Sequence, residues 1–370
     1  MGEMTPQSLG IRIREARTRA GISQQHLGEQ VGLERTAVNK IEAGTRKVSA
    51  LELSDIARAL RVRMAAFFEE PVAAVAAHRS SQGLDTVDSQ IDALLAELAD
   101  EVRLVHSLRP LTIAAETQAW ERPDSEDEAE AMAAKARGLL SYDQAEPVGA
   151  LQDHLAAAGL LVFSRPFGTD TADAGTVLVG GLGVSLINSS QKVGRRRLAT
   201  AHELGHFLVK DTYTVDWRVA DADEPMESRL DAFARAFLLP REAVTARWTE
   251  IAERSGTRTA AVIVGSEYQV DMSTLARRLS DLGVVSASEA GDVRAVRTTR
   301  ADMIELDLHT TEELAETTQP RAFQRAVLEL VREEEISRER AADLLWGLFD
   351  VEELPAPHPR ERTAIWEYVS

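Results

Sequence analysis

Apolar positions in the first seventy residues recur at the three-to-four spacing of short amphipathic helices. Ser23 is a favoured N-cap residue for a helix that ends near residue 30, and Gly32 then supplies a sharp turn. A second short helix is predicted over 34–43, and the capping-box residues of 49–52 predict another. The positions expected to be buried are Leu9, Ile13, Ala16, Leu27, Val31, Val38, Ile41, Leu53, Ile56 and Leu60.

Beyond residue 125 the pattern mixes strands with helices. Residues 160–163 predict a strand that follows a helix near 147–158, and residues 175–188 predict two short strands around a glycine-rich turn. Longer periodic segments over 195–208 and 226–239 predict helices, the second of which ends at a proline. The predicted fold class is therefore mainly α with a small β-sheet (α+β).

Helices are also predicted in the segment that joins these regions and in the last part of the chain. Residues 91–104 form an amphipathic pattern. In the last part, the positions expected to face inward are Phe323, Ala326, Val327, Leu330 and Val331 on one helix, and Ala341, Leu344, Leu345 and Leu348 on the next. The expected organisation is a helical domain over 1–70, a helical linker over 71–124, a mixed domain over 125–285 and a helical region over 286–370.

The charge of the chain is distributed unevenly. It carries 42 basic and 60 acidic side chains, for a net charge of −18, yet residues 1–70 carry +2 and the remaining 300 carry −20. Such an asymmetry favours nucleic-acid contact by one part of a chain only.

The chain has no cysteine, which excludes a disulfide scaffold, a cysteine-ligated zinc site and a thiol nucleophile. No apolar run approaches the length of a membrane span, so a soluble cytoplasmic protein without a membrane partner is expected.

Three segments in the first domain resemble the XRE (lambda-repressor-like) helix-turn-helix family: ISQQ at 22–25, VGL at 31–33 and VNKIEAG at 38–44. In that family the second helix of the motif enters the major groove. The resemblance implies that base edges would be contacted by Glu34, Arg35, Thr36 and Asn39, and phosphates by Gln24, Lys40, Arg46 and Lys47. A domain charge of +2 is modest for a duplex binder, so protein docking stays open as the alternative to DNA binding.

The sequence RRRLATAHELGHFL at 195–208 carries the candidate chemistry. Side chains four positions apart share one face of a helix, so His202 and His206 can both reach one metal ion. Glu203 lies beside them, where a general base that activates a water molecule belongs. The pattern predicts a Zn²⁺ site, and the alternative is two histidines that share a helix face without binding metal.

A catalytic zinc requires a third protein ligand. Glu227, at the start of the next predicted helix, is the best candidate, and Asp231 follows one turn later on the same face. The carboxylate of Asp231 can accept a hydrogen bond from a ligand histidine and orient its ring. This arrangement resembles that of the gluzincin metallopeptidases. Glu227 could instead be an acid in the first turn of a helix, where the helix dipole favours negative charge. Weaker candidates for the third ligand are Asp221, Asp223 and Glu224.

Residues 125–285 as a whole resemble the ImmA/IrrE metallopeptidase family. The matching segments are LATAHELGH at 198–206, Glu227 followed by FA and LLP over 233–240, and YQVDMSTLARRLSDLG at 268–283. One departure is Leu230-Asp231, where relatives often have Ala-Asn. The resemblance implies a narrow-specificity zinc endopeptidase that cleaves a partner transcriptional repressor or antitoxin and derepresses stress, DNA-damage, prophage or defence genes. Many members carry the same helix-turn-helix domain in one chain.

Several assignments stay open at this stage. An additional donor to the tetrahedral oxyanion is usual in peptidases, and Tyr213, Arg218 and Arg229 are near enough in sequence to be considered. An edge of the small sheet could bind an extended substrate, or its strands could serve packing alone. Residues 286–370 could sense a signal, mediate a homodimer, dock a substrate or simply cap the fold. The competing function is a DNA-binding regulator whose peptidase-like body binds a partner without proteolysis.

Overall fold

The computed structural model describes residues 5–19, 22–60, 64–67, 85–111, 119–168, 173–210, 224–309 and 311–356. The described residues up to 94 belong to one compact unit and those from 95 onward to a second. The predicted fold class, mainly α with a small sheet, is confirmed. Among the described helices, none combines the length and the apolar composition needed to cross a membrane.

The first unit is a bundle of short helices. These are α1 (Pro6–Arg19), α2 (Gln24–Val31), α3 (Arg35–Glu42), α4 (Ala50–Ala59) and a 3-10 turn (Met64–Phe67). The predicted caps are confirmed: the Ser23 hydroxyl accepts from the amide of His26 at 3.1 Å, and Ser49 and Glu52 form a capping box. Gly32 adopts a left-handed φ of +67°, the conformation that glycine tolerates best and that lets α2 turn directly into α3.

A buried ion pair ties the first three helices together. Glu42, at the end of α3, receives two hydrogen bonds from the guanidinium of Arg17 in α1, at 2.6 and 3.1 Å. Gln24, at the start of α2, donates to the same carboxylate at 2.8 Å. Because one partner of such a pair cannot be removed without leaving a buried charge, this contact fixes how α3 sits on α1 and α2.

The second unit is built from helices around a three-stranded sheet. Its helices are α5 (Asp85–Leu108), which begins in the first unit, α6 (Glu126–Leu139), α7 (Leu151–Ala157), α8 (Val193–Val209), α9 (Glu224–Leu238), α10 (Arg241–Glu267), α11 (Met272–Asp281), α12 (Ala287–Ala295), α13 (Arg300–Glu305), α14 (Arg321–Arg332) and α15 (Arg338–Leu344), with a 3-10 turn (Val351–Glu353). Its strands are β1 (Leu160–Arg165), β2 (Ala174–Val179) and β3 (Leu182–Asn188).

The sheet has the order β1-β3-β2, with β1 parallel and β2 antiparallel to the central strand β3. The predicted glycine-rich turn joins β2 to β3 at Gly180 and Gly181, whose φ angles are +57° and +90°. Two successive positive φ angles are what a tight hairpin turn requires, which explains the glycine pair. On the outer side of β1, Ser164 forms an isolated antiparallel bridge with Thr318, so a late segment of the chain covers part of that edge.

Helix α8 packs between the sheet and α9, and glycines allow both contacts to be close. A Cβ atom at Gly183 of β3 would meet the ring of Phe207 of α8 at 2.5 Å, and one at Gly205 of α8 would meet Phe233 of α9 at 3.0 Å. The side chains of α8 from Leu198 to Val209 are all buried. The helix that carries the histidine motif is therefore held on two sides within the core of the unit.

The predicted helices near the carboxyl end are present, with one correction. All five positions expected inward on α14 are buried, as are Ala341 and Leu344 of α15 and its C-cap residue Leu345. Leu348, also expected inward, is 37% exposed. Helix α15 ends at Leu344, so the helical period that was extrapolated to Leu348 no longer applies there.

Candidate metal centre

Two helices bring the predicted metal-site residues together. His202 and His206 lie one turn apart on α8, and Glu227 and Asp231 lie one turn apart on α9. Because α8 and α9 pack against each other, the two pairs face one another. His202 and His206 are 2% and 0% exposed, and Glu203 between them is 1% exposed.

The distances between the candidate ligand atoms suit a tetrahedral ion. His202 Nε2 lies 3.0 Å from His206 Nε2 and 3.1 Å from Glu227 Oε2, and His206 Nε2 lies 3.5 Å from Glu227 Oε1. Ligands at the usual zinc bond lengths of about 2.0–2.1 Å stand about 3.3 Å apart around a tetrahedron. Two imidazoles and one carboxylate, with the fourth position left for water or substrate, are also the donor set of catalytic zinc sites. The residues therefore fit Zn²⁺.

The electrostatics of the site favour a cation between these groups. Burial alone lowers the pKa of His202, but its contacts with Asp231 and Glu227 and the charge of Glu203 outweigh burial and raise this pKa to about 9. Burial alone raises the pKa of Glu227, yet its contacts with His202 and His206 hold this pKa well below its usual range. The carboxylates thus stabilise positive charge at His202, which a proton on the ring or a metal ion beside it can supply.

Asp231 lies beside the Nδ1 atom of His202. Its Oδ1 lies 3.0 Å from His202 Nδ1, on the side of the ring away from Glu227. A carboxylate in that place orients the ring and fixes which nitrogen is left to bind a metal. The role of Asp231 stays a prediction, and this contact is its geometric basis.

Of the remaining sequence candidates, Arg229 is the one whose side chain lies within the described residues. Tyr213, Arg218, Asp221 and Asp223 lie outside the described residues, as does the side chain of Glu224. Arg229, considered as an oxyanion donor, has its guanidinium 3.9 Å from Glu126 of α6. A side chain two positions after Glu227 on a helix points in a different direction, which explains why Arg229 faces α6.

Two buried arginines that sequence reasoning missed hold the end of α9. Arg137 of α6 donates to the Phe237 carbonyl at 2.6 Å, and Arg278 of α11 donates to the Leu239 carbonyl at 2.9 Å while binding Glu130 through both of its terminal nitrogens. The last carbonyls of a helix have no partner within the helix, so these cations satisfy them. A lone arginine on an apolar helix face is the only signal that the sequence carries for this role.

Seven of the eight predicted nucleic-acid residues lie on α3, at its N-cap or in the turn after it, and Gln24 lies at the start of α2. Six of the eight side chains are exposed: Glu34, Arg35, Thr36, Asn39, Lys40 and Lys47. The other two are engaged within the unit, since Gln24 donates to Glu42 at 2.8 Å and Arg46 donates to Glu52 at 2.6 Å. A phosphate contact by either of these two would therefore have to share or replace an existing bond.

Comparison with known proteins assigns a family to each of these regions. The helix-turn-helix model matches residues 13–67, and the IrrE N-terminal-like domain model matches residues 156–280. An uncharacterised helix-turn-helix-type transcriptional regulator of Sinorhizobium medicae is 42% identical over 62 residues, which are 17% of this chain and 45% of that protein. A regulator of the same description from Sinorhizobium fredii is 40% identical over 62 residues, or 17% of this chain and 43% of that protein. The match spans less than half of each relative, and no solved structure matches the chain.

Proposed function

We propose that this chain, which joins a helix-turn-helix domain to an IrrE N-terminal-like domain, is a zinc-dependent site-specific endopeptidase. Its substrate would be a partner transcriptional repressor or antitoxin, whose cleavage derepresses stress, DNA-damage, prophage or defence genes. The observation that carries the proposal is the convergence of His202, His206 and Glu227, three donors from two helices within 4.8 Å of one another. Glu203, buried beside them, gives the cluster a proton acceptor that a purely structural metal site would not need.

Each residue has a role in peptide-bond hydrolysis. His202, His206 and Glu227 would hold Zn²⁺, and Asp231 would keep the ring of His202 in the orientation that binds it. A bound zinc ion supplies Lewis-acid polarisation of the scissile carbonyl and makes water more acidic. The carboxylate of Glu203 takes the proton from the attacking water and later donates it to the leaving amine nitrogen.

The sheet offers a place for an extended substrate. Among the described strands, β2 is the edge strand that α8 packs near, and its ladder runs to β3 on one side only. A peptide added as a further strand at β2 would receive main-chain hydrogen bonds beside the histidine helix. Packing without substrate remains the alternative for this strand.

The first domain would direct the protein to duplex DNA. The exposed face of α3 carries Arg35, Asn39 and Lys40, and Lys47 lies just beyond it. Cationic and amide side chains of this kind donate hydrogen bonds to phosphates and to the edges of bases. The second candidate function, a DNA-binding regulator whose peptidase-like body binds a partner without turnover, is favoured by this face and by the names of the relatives.

Co-expression with candidate repressors from the same genome separates the two functions. Wild type should produce repressor fragments, and Glu203→Gln, which keeps shape but removes the proton acceptor, should produce none. Glu253→Gln, an exposed change on α10, serves as the matched control and should cleave as wild type does. Equal cleavage by wild type and Glu203→Gln, or no cleavage by either, would refute the endopeptidase.

A salt series with duplex DNA tests the first domain. Binding by the full chain should weaken as salt rises, and Lys40→Ala should reduce the slope of that dependence by about one phosphate equivalent, because Lys40 is assigned a phosphate contact. Arg58→Ala is the control, because Arg58 is an exposed arginine of α4 that pairs with Asp55 and lies off the α3 face. A salt-independent signal, or no signal, would favour a protein partner.

A further inference from the structure

Residues 312–318, here called the strap, run from the amino-terminal half of α8 to the outer edge of β1. Near α8, Arg196 donates to the Glu312 carboxylate at 2.8 Å and to the Glu313 carbonyl at 3.0 Å. At β1, Thr318 and Ser164 exchange two backbone hydrogen bonds of 3.0 Å. The strap lies outside the range matched by the IrrE-like domain model, yet it contacts the helix that carries the histidines.

The strongest of these contacts is a buried ion pair. Arg197 of α8, with 1% of its side chain exposed, binds the carboxylate of Glu313, which is 12% exposed. The same arginine donates to the Val148 carbonyl at 2.6 Å, and Glu313 also accepts from the amide of Leu151, the first residue of α7, at 2.5 Å. Glu313 therefore joins α7 and α8, and without it the guanidinium of Arg197 would be buried with no carboxylate beside it.

The backbone of the strap is strained. Leu314 and Glu316 have φ angles of +54° and +52°, in the left-handed region that residues with a Cβ atom rarely adopt. Such conformations persist only where surrounding contacts hold them, and they are concentrated in segments that switch or clamp. The strap is thus kept in place by its bonds to α8 and β1 against its own local preference.

The strap is continuous with the last helices of the chain. Gln319, directly after it, donates to the Leu344 carbonyl of α15 at 2.9 Å, and α14 begins two residues later. Trp346, just after α15, donates to Glu101 of α5 at 3.1 Å, and Arg109 pairs with Glu329 of α14 at 2.9 Å. These bonds connect the strap to α14 and α15.

We propose that the strap makes the metal centre depend on the carboxy-terminal helices, with Glu313 acting through Arg197 as a positioning residue for α8. His202 lies five residues beyond Arg197 on the same helix, so release of the pair lets the first turns of α8 loosen while the packing at Gly205 and Phe207 remains. The inference rests on the proposed function, since it concerns the zinc site of the same endopeptidase.

The test compares Glu313→Gln with Glu253→Gln in the full-length protein, using Co²⁺ as a spectroscopic substitute for zinc. Both variants remove one carboxylate, but Glu253 is an exposed residue of α10 outside the strap, whereas Glu313 is nearly buried. Glu313→Gln should weaken Co²⁺ binding, read from the visible absorption band, by several-fold to about tenfold. This is at or below the loss of about tenfold to hundredfold that follows removal of a group in contact with a metal ligand, because Glu313 acts through Arg197. It should also speed amide hydrogen exchange in the first turns of α8, whereas Glu253→Gln should match wild type in both measurements.

The outcomes separate this inference from the function on which it rests. Wild-type Co²⁺ affinity and exchange in Glu313→Gln, or equal losses in both variants, would overturn the positioning role. If wild type itself binds no Co²⁺, the proposed function fails, and amide hydrogen exchange in α8 then tests the positioning role of Glu313 by itself. Unchanged protection of α8 in Glu313→Gln would overturn that role, and lost protection would support it. If Glu313→Gln does not fold, Glu313→Asp keeps the charge but shortens its reach, so a several-fold weaker Co²⁺ affinity is expected and the wild-type value would overturn the inference.

Discussion

Replacing Gly194 by alanine tests how closely the histidine helix must approach α11. Gly194 lies in the first turn of α8, where a Cβ atom would be 2.4 Å from the amide nitrogen of Asp271 and 2.8 Å from the carbonyl carbon of Val270. Asp271 is the N-cap of α11, and its side chain accepts from the amides of Ser273 and Thr274. Since atoms at contact stand about 3.5–4.0 Å apart, the two backbones would have to separate by about 1 Å.

The size of the effect follows from two opposing contributions. Overpacking of a close contact costs about 1–3 kcal/mol, and alanine gains up to about 1 kcal/mol over glycine in a helix. A net loss of about 1–2 kcal/mol lowers the Tm of a unit of this size by about 2–8 °C. Gly138→Ala in α6 is the matched control, because a Cβ atom there meets nothing within 4 Å. That variant should melt at the wild-type temperature or slightly above it.

Thermal melting of the three proteins, followed by circular dichroism in one buffer with a chelator present, measures both effects. The expected order of Tm is Gly138→Ala at or above wild type, and Gly194→Ala below it. If Gly194→Ala melts as high as Gly138→Ala, the close approach of α8 to the start of α11 is wrong, and so is the argument that glycine is required there.

Three further predictions concern the metal centre and the first unit. Asp231→Ala should weaken Zn²⁺ affinity by about tenfold to hundredfold in competition with a chromophoric chelator, because the ring of His202 loses the acceptor at its Nδ1. An unchanged constant would count against that role. Because the pKa of His202 is raised to about 9, this ring is protonated at pH 7 without metal. Zn²⁺ binding should therefore release about one proton, and the affinity for Zn²⁺ should rise with pH up to about 9. Calorimetry in two buffers of different ionisation enthalpy measures the proton release, and equal binding heats in the two buffers would contradict it. Glu42→Gln should destabilise the first unit by about 3 kcal/mol, because it leaves Arg17 buried without its carboxylate partner. Asp55→Asn, which breaks an exposed pair with Arg58, should cost less than about 0.5 kcal/mol. Urea unfolding compares the two variants, and equal unfolding midpoints would refute the argument.

The helices and the local chemistry of the chain could be predicted because they depend on neighbours in sequence. The caps at Ser23 and Ser49 and the glycine turn at 180–181 are each written in a few adjacent residues, and the structure confirms them. The facing of His202 and His206 follows from helical geometry alone. The expectation for Leu348 fails because it extends the helical period past the end of α15 and across Gly347, a glycine with a φ of +68° of the kind that commonly terminates a helix.

The amino-acid sequence shows which residues have metal-ligand chemistry and which of them share a helix face, and it shows that a weakly basic domain precedes an acidic body. The contact of α9 with α8, with Glu227 and Asp231 on opposite sides of His202, is visible in the folded chain alone. The same holds for the pairing of Arg197 with Glu313, a residue 116 positions away. Such contacts depend on how helices pack, and packing is set by the shape of the whole core rather than by any local pattern.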